Sequence, residues 1–505
     1  MNENSTQNEN YSFNFSGRLI AKNTVYNLLG YVIPIVFALF FIPPLIEGLG
    51  KERFGILSLV WVIIGYFSFL DLGIGRSLTK VISEKIGRET DNQIPIIFWT
   101  ALIIMFTVSI IISLLAILFI PSLLNNFLNI SEELKPETYL TFLAITLAIP
   151  LVSTTAALRG VLEAYQKFLI INLMRTILGI FTFLGPILVL ILTNSLLYIV
   201  LFLIFIRVII WLSYFIICLN IDRRLRKKIS FSFEIIKPTI RFSIWISLSN
   251  IISPIILYSD RFLIGSLVSA SAITYYATPY EMVTKILLIP GALLGVLFPV
   301  FSASFIDKPE LAKKFFIRGL KFVFIIIYPV ILVVIIFSKE ILYLWLGRDF
   351  SNHSTTILQY LSIGIFMNSL SMVPNIFFQG TGKPKIPTLI NFFELPFYIL
   401  TMWFTIKTWN IEGAAFTYMI MASIDVFLMY MLAAKVFIFK LEGYLKYLAV
   451  FPLIIFMFFP FIINDLLIKI VFVTIILTTY IFISIRYILS IEEKELIKDR
   501  IRILF

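Results

Sequence analysis

A chain of 505 residues that is 60% hydrophobic and only 14% charged does not fit a water-soluble globule; it reads as an integral membrane protein. Its net charge of +12 does not call for nucleic acid, because most Lys and Arg fall in short connections between apolar runs. One Cys (Cys218) and one His (His353) exclude an internal disulfide, a Cys-based metal cluster and a His-pair zinc motif, and no cofactor is expected.

Residues 1–17 are polar, Asn-rich and free of Lys and Arg, which predicts a frayed tail and no cleaved signal. Apolar runs follow at about 24–46, 54–75, 94–120, 137–158, 168–192, 196–219, 240–268, 272–302, 319–337, 355–376, 386–407, 411–434, 445–463 and 466–489. Each is near the length a bilayer requires, so the expected fold is an all-α membrane protein of about 14 transmembrane helices. One set of connections carries about 31 Lys and Arg and the opposite set about seven, including Lys51, Arg53, Lys135, Lys339, Arg348, Lys407 and Lys469, which puts both termini in the cytoplasm. The richest connection holds Asp222, Arg223, Arg224, Arg226, Lys227 and Lys228 and reads as an anchor on anionic lipid headgroups.

A weak repeat at an offset of 220 residues matches Pro34 with Pro254, Gly160 with Gly380 and Tyr198 with Tyr418. Two similar six-helix halves are a common transporter plan. The predicted organisation is a first lobe over 18–219 (helices 1–6), a basic connection over 220–238 and a second lobe over 239–440 (helices 7–12). A final helix pair (441–489) and a cytoplasmic tail (490–505) complete it.

Charges inside apolar runs are functional candidates by default. The stretch Tyr258–Gly265 (YSDRFLIG) places Asp260 and Arg261 in the run 240–268. Two such charges cost about 6 kcal/mol on insertion scales, close to what the run's Leu, Ile, Val and Phe residues return. That helix therefore needs a polar surface to face. Neighbours in sequence sit about 100° apart on a helix, so Asp260 and Arg261 pair poorly with each other. Glu281 and Lys285 lie near the midplane, four residues apart in the order that favours mutual neutralisation. Lys22 and Arg76 lie near the inner interface, with Asp71 slightly deeper. Arg175 and Arg207 add cations on the fifth and sixth helices. Glu394 and Asp425 add acids on the eleventh and twelfth, as interhelical hydrogen bonding or as ion coupling. Taken together, Lys22, Arg76, Lys285 and Arg261 form a ladder along which an anionic headgroup such as a diphosphate could pass.

Catalysis finds no footing. No nucleophile–base pair is evident, and Gly380–Lys385 (GTGKPK) fails as a phosphate loop, with Phe377 where the first Gly belongs and Pro384 where Ser or Thr should bind magnesium. The chain is expected not to be an enzyme.

Six stretches carry a likeness to a known family: Ala21–Gly30 (AKNTVYNLLG), Gly50–Ser58 (GKERFGILS), Leu70–Gly75 (LDLGIG), Arg159–Phe168 (RGVLEAYQKF), Ser259–Gly265 (SDRFLIG) and Gln379–Lys383 (QGTGK). In order and spacing the chain resembles the polysaccharide transporter branch of the multidrug/oligosaccharidyl-lipid/polysaccharide exporter superfamily, the flippases of O-antigen and capsule repeat units. The resemblance implies two six-helix lobes in a V shape, a final helix pair and a central cationic cavity in the bacterial cytoplasmic membrane. It implies transport of a polyprenyl-diphosphate-linked oligosaccharide to the outer leaflet. The family's cavity charges map onto Asp71, Asp260 and Arg261 by motif and onto Lys22, Arg76 and Lys285 by position. Na+ or H+ coupling and glycan polymerase and chain-length partners are the expected company. The competing readings are a cation-coupled drug antiporter on the same scaffold and a membrane glycan polymerase or ligase. The second would want a large outer loop, and the outer loops here are short.

Overall fold

A computed structural model of the protein describes residues 17–69, 74–86, 93–226, 229–232, 255–256, 258–295, 297, 301, 309–437 and 465–488. Among them the regular structure is helical, with no strand. Eight helices in this set are long and apolar enough to cross a membrane. The all-α membrane architecture expected from the apolar runs is therefore present. The run 445–463 and most of 240–257 lie outside the described residues. The chain divides into two compact units, Met1–Thr274 and Tyr275–Phe505.

In the first unit, α1 (Gly17–Leu49) and α2 (Lys51–Phe69) are separated only by Gly50, whose φ of 76° is the left-handed conformation that glycine enters without strain. The charged stretch after α2 is not the plain connection its composition suggests. Residues Ile74–Lys85 form a helix, α3, with Leu78 and Ile82 buried on one side. That stripe of apolar residues at helical spacing packs α3 on α6. The approach is close. A Cβ on Gly160 of α6 would lie 2.4 Å from the Gly75 carbonyl oxygen, and Thr79 Oγ1 donates to the Gly160 carbonyl at 3.0 Å.

Helix α4 (Ile94–Ser122) buries Ile94, Ile97, Phe98, Ala101 and Met105 against α6 and turns Ile111, Leu114, Leu115, Leu118 and Phe119 outward. Outward-facing leucines and phenylalanines on a helix of this length are lipid contacts. The expected run 137–158 is bent into α5 (Lys135–Leu147) and α6 (Ile149–Ala164). Pro150 has no N–H to give the Thr146 carbonyl, and Ser113 Oγ of α4 donates to that oxygen at 2.9 Å instead. Helices α7 (Phe168–Leu190) and α8 (Leu196–Ile221) complete the set, α7 lying along α1 and α8 against α5, α6 and α7.

The second unit takes up α9 (Ala270–Thr284) from Tyr275 onward and adds α10 (Leu288–Gly295), α11 (Pro309–Ile336), α12 (Ser338–Gly380) and α13 (Lys385–Phe437). Two of these are bent. Gly347 breaks α12 with φ 84°, and Trp409 and Asn410 break α13 where the two runs 386–407 and 411–434 were expected to part. Asn410 takes φ 52°, a conformation Asn tolerates better than most residues. The last described helix, α14 (Leu466–Ile483), starts at an Asp465 cap whose side chain accepts from the N–H groups of Leu467 and Ile468. It packs on α11, where Tyr480 stacks on Tyr328 at 4.9 Å and donates to the Ile325 carbonyl at 2.6 Å.

Two helix ends are closed alike, 216 residues apart and so out of register with the 220-residue repeat. Both α6 and α12 end in a cap with paired 6→1 and 5→2 hydrogen bonds. In α6 the bonds run from Lys167 N to Leu162 O and from Gln166 N to Glu163 O; in α12 they run from Lys383 N to Phe378 O and from Gly382 N to Gln379 O. The left-handed residues are Gln166 and Gly382, so GTGK closes a helix in the same way as the AYQK turn.

Candidate functional site

The YSDRFLIG stretch is helical over 258–267 and is built into the first unit. Its carboxyl end is strapped there by main-chain bonds. Asn129 N donates to the Gly265 carbonyl at 2.8 Å, Ala270 N donates to the Asn129 carbonyl at 3.1 Å, and Asn129 Nδ2 reaches the Ser266 carbonyl at 3.0 Å. Thr274 Oγ1 adds a bond of 2.5 Å to the Lys51 carbonyl. On α2, Gly55 faces the Ala270 carbonyl and Gly65 faces the Tyr258 hydroxyl, so the two small residues admit the segment.

This packing hides the charges. Asp260 is 0% and Arg261 2% exposed. The Arg261 N–H donates to Asp260 Oδ1 at 2.6 Å, and its guanidinium carbon lies 5.9 Å from the Tyr258 ring centre, within cation–π range. In the second unit Lys285 Nζ meets Glu281 Oε2 at 2.9 Å, with both side chains partly exposed. The i,i+4 pair that the spacing suggested is formed. Lys22 falls on α1 and Arg76 on α3, and their side chains, like the whole of Asp71, lie outside the described residues.

Three further groups stand out. In the second unit Asp425 accepts a hydrogen bond from Ser371 Oγ, and Glu394 lies close enough to feel the Asp425 charge. Glu394 Oε1 and Asp425 Oδ1 are buried atoms with no hydrogen-bond partner. Also in that unit, Lys469 Nζ contacts both Glu340 carboxylate oxygens, at 2.8 and 3.0 Å, with the lysine side chain 4% exposed. Counting Lys469 among connecting-loop charges missed this pair, although its position inside the run 466–489 was the signal. In the first unit Arg207 Nη1 on α8 is buried without a hydrogen-bond partner.

At the end of α8, Asp222 is buried and binds the Arg224 side chain through Nε and Nη2 at 2.9 Å each, while Tyr165 donates to it at 2.8 Å. Burial pushes this carboxyl up, but the bonds from Arg224 and Tyr165 outweigh it and hold it below the usual carboxylate range. A carboxylate depressed in the folded state adds stability above its unfolded pKa and loses it as pH falls through the folded value. Asp222 is therefore expected to hold its partners through neutral and mildly acidic solution and to release them only below the ordinary carboxylate range. In thermal unfolding followed against pH, Asp222→Asn should remove this part of the acid limb.

The second-half residues 246–404 match the family described as MatE. A solved structure titled lipid II flippase MurJ, inward closed conformation, shares the fold at a TM-score of 0.72 and 14% identity, covering 92% of this chain and 99% of that one. An inward-facing multidrug resistance MATE family transporter of the MOP superfamily matches at 0.69 and 14%, covering 82% and 98%. The bundle thus shares the all-α fold of these two proteins. Residues 20–305 match the family described as polysaccharide biosynthesis protein, and a Shigella flexneri protein described as a candidate O-antigen transporter is 31% identical over 411 residues, 81% of this chain and 96% of that protein. The chain belongs to this polysaccharide biosynthesis family.

Proposed function

We propose that the protein is a flippase that carries a polyprenyl-diphosphate-linked oligosaccharide across the bacterial cytoplasmic membrane by alternating access, with both termini in the cytoplasm. The observation that carries this reading is the match along nearly the whole length of the candidate O-antigen transporter. The chemistry agrees with it. Arg suits bidentate contact with phosphate oxygens and Lys supplies a point charge. In this reading Lys22, Arg76, Arg261 and Lys285 meet the diphosphate, and Asp71, Asp260 and Glu281 set how much positive charge they present. Arg261 is buried here, so its contact with a headgroup needs the rearrangement that alternating access supplies.

The drive is a Na+ or H+ gradient. Its seat is the carboxyl pair Glu394 and Asp425, whose unpaired buried oxygens are costly unless a cation or proton joins them. A glycan polymerase and chain-length partners act on the product.

The test is transport in vesicles loaded on one leaflet with lipid-linked oligosaccharide. Wild type should deliver it to the other leaflet, faster under an imposed gradient, and Arg261→Gln should cut the rate at least tenfold while Arg261→Lys retains part of it. Asp425→Asn should leave a slow rate that no longer responds to the gradient. No delivery by well-folded wild type would end this reading. The MatE match over 246–404 favours a second one, a drug antiporter on the same scaffold. Drug efflux with lipid-linked sugar left in place would support it.

A further inference from the structure

We infer that the turn closing α8 is a preformed seat for an anionic phospholipid headgroup, built from Asn220, Arg223 and Arg226. The argument begins with the lipid-facing side of the helix. Phe205, Ile209, Leu212 and Ile216 are exposed apolar side chains at spacings of three and four, so they form one stripe along α8. The same spacing continues to Asn220, which is exposed, and Arg223 is exposed in the turn that follows the helix end at Ile221. A lipid-facing stripe that ends in an amide, with a guanidinium in the next turn, puts those polar groups at the depth of the headgroups.

The turn is held in one shape. Arg223–Arg226 form a 3-10 turn. Its Leu225 is 1% exposed, with its carbonyl accepting from the Trp99 indole of α4 at 3.0 Å. Asp222 takes Arg224 inward, so that carboxylate is used up on a different arginine. Arg226 curls back, donating from Nε to the Leu219 carbonyl at 3.0 Å and from Nη2 to Asn220 Oδ1. Among the described residues, no carboxylate pairs with Arg223 or Arg226. Two arginines three residues apart on a 3-10 turn, where such positions eclipse, exposed and without a carboxylate partner, match a phosphate diester in charge.

The measurement is native mass spectrometry of the full chain from micelles doped with equal phosphatidylglycerol and phosphatidylcholine. Wild type should retain phosphatidylglycerol, and Arg223→Gln/Arg226→Gln should lower the retained ratio about thirtyfold, the share expected of two cations at an anionic surface. The charge-matched pair Lys383→Gln/Lys385→Gln, at the end of α12, should keep it. Equal loss in both variants, or no preference in wild type, overturns the seat. Glycerol phosphate displacing the lipid at matched phosphate concentration would assign the turn to free phosphate and overturn it as well. A second measurement needs no variant: amide exchange over 220–226 should be slower in phosphatidylglycerol nanodiscs than in phosphatidylcholine ones, and equal rates count against the proposal.

Discussion

Lys469→Ala is expected to destabilise the second unit by about 3 kcal/mol, the low end of the range for breaking a buried ion pair, since Glu340 keeps part of its exposure. The loss comes from what remains. Removing the ammonium leaves the part-buried Glu340 carboxylate without the partner that meets both its oxygens. It also frees the start of α14, which Tyr480 ties to α11 nearer its other end. Thermal unfolding in detergent should show a lowered midpoint. The double change Lys469→Met/Glu340→Leu should recover most of it, because an apolar pair of similar volume carries no desolvation cost. A single variant as stable as wild type would mean that the pair is solvated.

Gly55→Ala should be comparably damaging for a steric reason. A Cβ at this position would sit 1.9 Å from the Ala270 carbonyl oxygen and 2.9 Å from its carbon, both backbone atoms that cannot rotate away. Overpacking of this kind costs about 1–3 kcal/mol and occasionally more, and here the displaced segment is the one that bonds Asn129 and Lys51. The expected outcome is a lowered unfolding midpoint together with faster proteolysis near 266–274. The contrasting change is Gly50→Asn. Nothing lies within 4 Å of its Cβ and Asn tolerates its positive φ, so that variant should stay close to wild type.

The comparison of these sites shows what a sequence can reveal. Apolar run lengths marked out the eight long apolar helices among the described residues, because a bilayer imposes one length on every crossing. The break at Trp409 and Asn410 was visible as a lapse between two runs. The Glu281–Lys285 pair followed from a local spacing rule, and local rules need no knowledge of the rest of the fold. Three things were hidden. The helix at 74–85 looked like a connection because its charges dominate its composition, and only its pairing with α6 gives Leu78 and Ile82 something to bury against. Asp222 looked like one more member of a charged cluster, since nothing local says that Tyr165, 57 residues away, reaches it. Lys469 looked like a loop cation because its partner is 129 residues distant.

That last separation bears on how the protein is made. The ribosome delivers Glu340 long before Lys469, so during synthesis a carboxylate waits at the membrane with its counter-ion still unmade. The helix from Leu466 to Ile483 thus brings a charge that an earlier helix has been holding a place for, and a chain cut short before Leu466 would keep Glu340 without it.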